Sequence, residues 1–277
     1  MNSRDVISHP GPRSECGVVC AQGKISLHTV HIKAGDILLN AVSGFMDVLG
    51  CDSGVLVLDK IDIGPFDYVI PSHSTDEMHV AWYSETHACP SARIQSATAI
   101  VGKRDGAWWI HCHALWDSGG ELGMGHLLPD KVIVNEDVSV TLRAFTGGSF
   151  NVSLNPETAF EIFHVNGGNT DGNALIAKIN PHQDLYSATE ELLLQVGFEQ
   201  AIVFGIGSLI GAHFKSGDPM KSPISEVLIL DGASWDGSLS LPVHCVDTDN
   251  RLFHGHLLKG CAPVLVTFEI MIIEGKA

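Results

Sequence analysis

The chain has 277 residues, of which 45% are hydrophobic and 17% are charged. This composition supplies ample apolar material for folded cores and excludes a disordered or low-complexity protein. Sixteen Lys and Arg against 32 Asp and Glu give a formal net charge of −16, whereas proteins that wrap nucleic-acid phosphates are normally basic. At roughly 150 residues per domain, the length predicts about two domains.

The seven cysteines are scattered and include no Cys-x-x-Cys pair. Disulfide frameworks are typical of small secreted chains, so we expect reduced thiols in a cytoplasmic protein. The first 20 residues have no continuous apolar run of the kind that a signal peptide needs. The longest mostly apolar run, Ala201 to Ala212, is interrupted by Gly205 and Gly207 and is too short to span a bilayer, so no membrane partner is expected.

An internal repeat organises the chain. Gly125-His-Leu-Leu128 recurs 130 residues later as Gly255-His-Leu-Leu258, and each copy follows a strand-like segment that carries histidine. These segments are Trp108 to His113 in the first half and Leu241 to Val246 in the second. A β-branched run follows each copy, at Val132 to Leu142 and at Val264 to Ile272. These three matching elements occur in the same order in both halves, which predicts two related halves.

Each half also contains one amphipathic helix. Leu185, Ala188, Leu192, Leu193 and Val196 form one apolar stripe, with Gly197 placed to end the helix. The first half repeats this plan with Ile37, Leu38, Ala41, Phe45 and Leu49, followed by Gly50. One helix among many strands predicts an α+β fold with a largely antiparallel sheet in each half.

The domain boundaries follow from the repeat and from a Gly/Asn/Asp/Thr-rich stretch at Asn166 to Asn173. We expect an N-terminal tail at 1–23, a first domain at 24–155, a linker region at 156–173 and a second domain at 174–277. Gly205-x-Gly207 lacks the third glycine and the lysine of phosphate-binding loops, so it predicts a tight turn and no nucleotide cofactor.

The order of these elements resembles the PPC (plants and prokaryotes conserved) domain, which follows AT-hooks in plant nuclear proteins and stands alone in bacteria and archaea. Ala174 to Ile273 matches along nearly its full length, including the segment from Glu226 to Gly232. Ser26 to Phe145 matches more loosely and has an insertion around Phe66 to Pro90. The resemblance implies two tandem PPC-like α+β domains, association as a homotrimer, and, as in several prokaryotic members, a metal held by the histidines.

His111, His113 and His126 are the candidate metal ligands. Two histidines two residues apart in a strand leave the same face, and His126 follows a glycine-rich turn that would return it on the antiparallel neighbour. Three imidazoles suit zinc, with iron or nickel as alternatives, and leave a fourth position open. The competing interpretation is that these side chains line a cavity without an ion.

The second half departs from this pattern, because Pro242 stands in the place of the leading histidine. His244, His254 and His256 therefore form a weaker second candidate site. Cys112 and Cys245 each follow a histidine, and alternation along a strand predicts that both are buried thiols on the opposite face. His73, His79 and His87 lie in the first-half insertion and could extend over the site as a lid.

These observations predict a protein that binds a transition metal and a small-molecule ligand. A metal-dependent enzyme is the more specific version of this hypothesis. The catalytic residues are unknown, because no general base stands at a fixed distance from the histidines. The alternative is a DNA-associated regulatory protein, by analogy with the plant members. The acidic balance and the absence of an Arg-Gly-Arg-Pro AT-hook argue against direct contact with nucleic acid.

Overall fold

The computed structural model describes residues 7–168 and 170–276. The helices are α1 (Leu38–Leu49), α2 (Leu185–Val196) and a short 3-10 helix (Pro129–Lys131). The strands of the first part of the chain are β1 (Val18–Ile32), β2 (Ser53–Leu58), β3 (Asp62–Ile63), β4 (Phe66–Val69), β5 (Pro71–Ser72), β6 (Trp82–Tyr83), β7 (His87–Cys89), β8 (Ala92–Arg104), β9 (Ala107–Ser118), β10 (Glu121–Leu127), β11 (Val138–Thr146), β12 (Gly148–Leu154) and β13 (Glu161–Gly167). The remaining strands are β14 (Ala174–Ile179), β15 (Ala201–Leu209), β16 (Ser225–Ile229), β17 (Ser234–Trp235), β18 (Leu239–Ser240), β19 (Pro242–Asp247), β20 (Leu252–His256) and β21 (Val264–Glu274).

The strands pair almost entirely in the antiparallel sense. Among the described residues the parallel exception is β8 with β12, through Lys103 and Asn151. Together with the two α-helices, this arrangement confirms the predicted α+β class and the largely antiparallel sheet.

Both helices end as the sequence predicts. Gly50 and Gly197 follow α1 and α2 with φ of 63° and 72°, a left-handed conformation that glycine adopts without a steric penalty. Asp184 caps α2 by accepting a hydrogen bond from the backbone N–H of Ser187 at 2.9 Å. The buried face of α1 differs by one position from the expected stripe, since Leu38, Val42 and Met46 are its buried residues.

Strand β1 joins the two halves of the structure. Its residues 18–23 pair with β14 of the second half, and its residues 24–32 pair with β11 of the first half. Residues 18–23, which we expected in an N-terminal tail, therefore extend the second sheet beside β14. Residues 1–6 of that tail lie outside the described residues.

The expected linker region at 156–173 is only partly irregular. Strand β13 (Glu161–Gly167) lies within it and forms a hairpin with β12. The composition from Asn166 onward suggested a flexible segment, but Asn166 and Gly167 complete this hairpin opposite Ser149 and Gly148. The connection between the halves is therefore shorter than the sequence indicates, and Asn169 within it lies outside the described residues.

The two faces of each sheet pack against different parts of the structure. One face of each sheet covers its own helix, and the other face contributes to a core shared between the halves. Along β9, for example, Cys112 and Ala114 belong to the helix-side core, whereas Leu115 belongs to the shared core. The shared core combines first-half residues Val55, Ile100, Leu115 and Met124 with second-half residues Phe204, Ile206, Leu228 and Met271.

The predicted tight turn at Gly205-x-Gly207 is wrong, because both glycines lie within β15. A Cβ atom at Gly205 would lie 2.7 Å from the carbonyl oxygen of Glu269, and one at Gly207 would lie 2.3 Å from that of Thr267. The glycines therefore permit a close approach between β15 and β21 rather than a reversal of the chain.

The predicted burial of Cys112 and Cys245 is confirmed. All seven cysteines are free thiols, and Cys112 and Cys245 are fully buried on the helix side of their sheets. Burial raises the pKa of the Cys112 thiol to about 12, so this sulfur is a poor nucleophile. None of the helices in the described ranges has the length and apolar character that crossing a membrane requires.

Candidate metal centre

The candidate ligands lie on neighbouring strands at the boundary between the halves. His111 and His113 leave β9 on the face that carries Leu115, which is the face of the shared core. Strand β10 pairs with β9 so that His126 stands directly opposite His113. The alternation of the strand and the antiparallel return thus bring all three imidazoles to one place, as the spacing predicts.

The three rings form a tight cluster. The Nε2 atoms of His111 and His113 are 3.1 Å apart, and the ring centre of His126 lies 4.9 Å from that of His111 and 5.5 Å from that of His113. One nitrogen from each ring lies within 4.8 Å of the others. Among the described residues this is the one group of three or more metal-ligating side chains found together.

Residues of the second half fix the orientation of two of these rings. Nδ1 of His113 lies 2.9 Å from the backbone oxygen of Val227, and Nδ1 of His111 lies 2.9 Å from Oε2 of Glu269. A carbonyl or carboxylate oxygen only accepts, so each Nδ1 carries a proton. The two Nε2 atoms then face each other at 3.1 Å, a contact that needs a proton or a metal ion between them.

Burial favours the neutral form of the His113 and His126 imidazoles, which is the form that binds metals. The pKa of His113 lies well below its usual value, first because the ring is buried and then because His111 and His126 are close. The pKa of His126 is lowered in the same way, by burial and then by His111. In the described part of the chain, Nδ1 of His126 is buried and has no hydrogen-bond partner. A metal ion fits this donor set, because it would occupy lone pairs that no proton donor satisfies.

Two buried carboxylates, Glu226 and Glu269, lie beside the histidines, and neither was predicted from the sequence as a site residue. Glu269 on β21 accepts from His111 through Oε2 and from the Thr267 hydroxyl through Oε1 at 2.9 Å. Oε2 of Glu226 on β16 lies 3.7 Å from Nε2 of His113. The sequence does show that each glutamate stands within an otherwise apolar strand. Burying a charged side chain is energetically unfavourable unless it is paired or binds a metal ion.

A cavity of about 280 Å³ opens above the histidines. Its walls are largely aromatic and aliphatic and come from both halves, and they include Trp82, Tyr83, Trp109, Phe160, Ile224 and Val266. Trp82 and Tyr83 belong to the first-half insertion, and the Tyr83 ring centre lies 5.3 Å from that of His126.

The insertion therefore contributes to the cavity, but not through the histidines that we expected to form a lid. His79 instead contacts Asp76 through Nδ1 at 2.9 Å and the carbonyl oxygen of Ala159 through Nε2 at 3.3 Å. His87 stacks on Tyr68, and none of His73, His79 and His87 lines the cavity.

The structure does not bring the weaker second set of histidines together in the same way. His244 and His254 face each other across β19 and β20 with ring centres 5.2 Å apart. His256 is exposed, and its Nδ1 lies 3.1 Å from the Ser240 hydroxyl. Pro242 stands opposite His256, whereas in the first half His113 stands opposite His126, so no imidazole faces His256 across these two strands.

Comparisons with solved structures give distant similarities. A metal-containing protein from Archaeoglobus fulgidus is 16% identical with a TM-score of 0.42, and the match covers 52% of this chain and 97% of that one. A plant- and prokaryote-conserved (PPC) protein from Pyrococcus horikoshii is 16% identical with a TM-score of 0.39, covering 52% and 94%. A protein from Ralstonia eutropha JMP134 that is named as a putative DNA-binding protein is 17% identical with a TM-score of 0.36. That match covers 51% of this chain and 96% of that one.

No curated protein matches this chain in the sequence comparison. The family comparison is more informative, because the model of the Plants and Prokaryotes Conserved (PCC) domain matches residues 159–276. The matched region runs from just before β13 to the end of β21 and includes Glu226, Glu269 and the second Gly-His-Leu-Leu segment. Residues 159–276 are therefore similar to the Plants and Prokaryotes Conserved (PCC) domain family.

Proposed function

We propose that this protein binds a transition metal ion through His111, His113 and His126, at the base of a small-molecule cavity between its two halves. The observation that carries this proposal is the 3.1 Å separation of the His111 and His113 Nε2 atoms, with the Nδ1 atom of each ring held by an acceptor. Zinc is the first choice for three neutral imidazoles, with iron and nickel as alternatives.

The surroundings suit a doubly charged ion. Glu269 is completely buried and holds His111, and carboxylate–histidine–metal arrangements of this kind orient the imidazole and raise its basicity. When bound, the ion would supply Lewis acidity or activate a water molecule. The protein's own residues orient the ligands and exclude bulk water from the cavity floor. A metal-dependent enzyme is therefore the activity that we propose to look for.

The cavity indicates the kind of molecule that would reach the ion. At about 280 Å³ it lies near the lower end of the range for small-molecule sites, which is about 300–1,000 Å³. Its walls offer aromatic and aliphatic contacts. Of its charged groups, Arg104 and Glu161 form an ion pair with each other, and Glu226 and Glu269 lie beside the histidines. We propose an apolar ligand of modest size with one polar group directed at the histidines.

Elemental analysis of purified protein tests the metal site. We expect about one transition metal ion per chain in the wild type and a loss of most of it in His111→Ala and in His113→Ala. His31→Ala is the matched control, because it removes an exposed strand histidine outside both sets of candidate ligands and should leave the metal content unchanged. Equal metal content in all four proteins would contradict the proposal.

A further inference from the structure

We propose that Glu226, which comes from the second half of the chain, is a fourth protein ligand of the metal ion. The centre would then be assembled from both halves, with imidazoles from β9 and β10 and a carboxylate from β16. This inference rests on the metal site proposed above and adds a ligand that no spacing motif in the sequence connects to the histidines.

The first support is the state of the Glu226 carboxyl group. The residue is 5% exposed, and its Oε2 atom is buried without a hydrogen-bond partner among the described residues. Such an orphaned oxygen is rare in folded proteins, because burying it without a donor or a cation is unfavourable. The nearest nitrogen across the cluster is Nε2 of His113, which is also a lone-pair donor.

The second support is distance. Ligand atoms bound at about 2.0–2.2 Å from an ion lie about 3.4 Å apart when the geometry is tetrahedral. The separation from His113 Nε2 is 3.1 Å to His111 Nε2 and 3.7 Å to Glu226 Oε2, so the two values bracket this expectation. The carboxylate oxygen therefore needs only a small side-chain adjustment to share an ion with these imidazoles.

The third support is the register of β16. The backbone oxygen of Val227 accepts from Nδ1 of His113, and the side chain of the preceding residue, Glu226, lies on the face toward the histidines. Leu228 on that same face belongs to the shared core, which fixes the strand against the first half. One short segment thus both sets the tautomer of His113 and delivers a carboxylate beside its free nitrogen.

Glu269 is not an equivalent candidate, although it is also buried nearby. Its Oε2 atom accepts from His111 and its Oε1 atom accepts from Thr267, so both oxygens already have donors. The two carboxylates therefore have different roles, with Glu269 orienting a ligand and Glu226 acting as one. The added carboxylate makes the ligand set harder, which favours zinc or iron over Cu(I).

Metal affinity measured by competition with a chromophoric chelator tests this assignment, using Zn²⁺ and Co²⁺ as probes. We expect Glu226→Gln to bind at least tenfold more weakly than the wild type. The visible absorption of the Co²⁺-loaded protein should also change, because a protein carboxylate is replaced at the ion. Glu161→Gln is the matched control, since Glu161 lines the same cavity but pairs with Arg104 at its edge.

Thermal unfolding separates a ligand role from a structural one. Without metal, Glu226→Gln should be as stable as the wild type or more stable, because a neutral amide replaces an unpartnered buried carboxyl group. On adding Zn²⁺, its unfolding temperature should rise less than that of the wild type. Glu226→Met is measured in parallel, as a variant of similar length that introduces no new polar atoms.

The outcomes distinguish this inference from the proposed function. If His111→Ala loses the metal while both Glu226 variants keep wild-type affinity and Co²⁺ absorption, Glu226 is not a ligand and the three-histidine site stands. If His111→Ala also keeps the metal, the proposed function itself fails. A wild-type response to Zn²⁺ in the unfolding of Glu226→Gln would likewise overturn the assignment.

Discussion

Lys178 stands directly opposite Glu269 in the pairing of β14 with β21, and both side chains are almost completely buried. Burial lowers the pKa of Lys178 to about 8, while the nearby carboxylates of Glu269 and Glu157 act in the opposite direction. The pair therefore places a cation beside the carboxylate that holds His111. Through Glu269, the second half sets both the orientation and the electrostatics of a first-half ligand.

This relationship makes Glu269 a positioning residue with a testable effect. We expect Glu269→Gln to weaken Zn²⁺ affinity by about 10–100-fold, as is typical for the loss of a carboxylate behind a histidine ligand. The amide either donates to Nδ1 of His111, which demands the wrong tautomer, or accepts with less charge. Chelator competition measures the affinity, and ¹⁵N chemical shifts of the His111 ring report the tautomer.

Thr267→Val is the matched control for this prediction. It removes the hydroxyl that donates to Oε1 of Glu269 but keeps the carboxylate on His111, so its effect on affinity should be smaller. Unchanged affinity and an unchanged His111 tautomer in Glu269→Gln would show that the carboxylate has no part in positioning the ligand.

The sequence contains enough information for the first-half cluster because its determinants are local. His111 and His113 share a strand face by simple alternation, and the glycine-rich turn returns His126 beside them. The same reasoning locates α2 and its terminal Gly197, since an apolar stripe and a C-terminal glycine act within one element. Spacing along the chain is sufficient wherever the partners are strand neighbours.

The contributions of Glu226 and Glu269 were not predictable by the same means. Both lie more than 90 residues from the histidines in sequence, and they reach the site only because the helix-free faces of the two sheets pack together. Trp82 and Tyr83 are similar, because the insertion that carries them has no strong periodicity. Contacts between the halves depend on how whole sheet surfaces pack, and residue spacing along the chain does not predict such packing.

Acidification provides a prediction about the second half. Burial, and then the neighbouring His254, lower the pKa of His244 to about 4 from its usual value of 6.5. Because the unfolded chain binds this proton at higher pH than the folded one, the free energy of unfolding should fall as the pH decreases from about 6.5 to about 4. The full shift corresponds to about 3 kcal/mol, and partial exposure of the ring to solvent makes about 1–2 kcal/mol the expected size.

Denaturant unfolding of metal-free protein at several pH values checks this prediction. His244→Gln should lose less stability on acidification than the wild type, and the difference between the two proteins isolates this one ring. His256→Gln controls for the removal of an imidazole from the same pair of strands. A wild-type pH profile in His244→Gln would contradict the prediction.

The aromatic wall of the cavity provides a prediction about ligand preference. Trp82 packs against Phe160 with ring centres 5.1 Å apart and is 44% exposed at the opening. We expect Co²⁺-loaded protein to bind 4-phenylimidazole about tenfold more tightly than imidazole, because the phenyl ring buries apolar surface against this wall. Either probe would add a fifth ligand to the ion or displace the Glu226 carboxylate. Trp82→Ala should reduce that preference without changing the metal content.

Titration followed by Co²⁺ absorption measures both ligands. Trp108→Ala is the control, since Trp108 lies outside the cavity and contacts Asp47 and Lys103 instead. Equal affinity for the two probes in the wild type would show that the aromatic wall does not contribute to binding.

The charge distribution predicts weak binding of nucleic acid. The formal net charge is −16, and several cationic side chains are already engaged, since Arg93, Arg104 and Arg251 each pair with carboxylates. We expect no duplex DNA binding tighter than micromolar at physiological salt. A sub-micromolar dissociation constant with a steep salt dependence in fluorescence anisotropy would support the regulatory alternative instead.

The last prediction concerns assembly. The resemblance to PPC domains implies a homotrimer, and we retain this as a proposal for the solution state. The helix-free faces of both sheets are already buried within one chain, so the contacts between chains must use other surfaces. Apolar side chains remain available there, including Leu27, Leu122 and Leu154, which are 66%, 57% and 64% exposed.

With 17% charged residues, the surface has few charges to oppose such contacts. Light scattering should therefore give about three times the chain mass of 29.7 kDa. A single-chain mass over a wide concentration range would contradict the trimer. The core shared between the two halves would then take the place of contacts between chains.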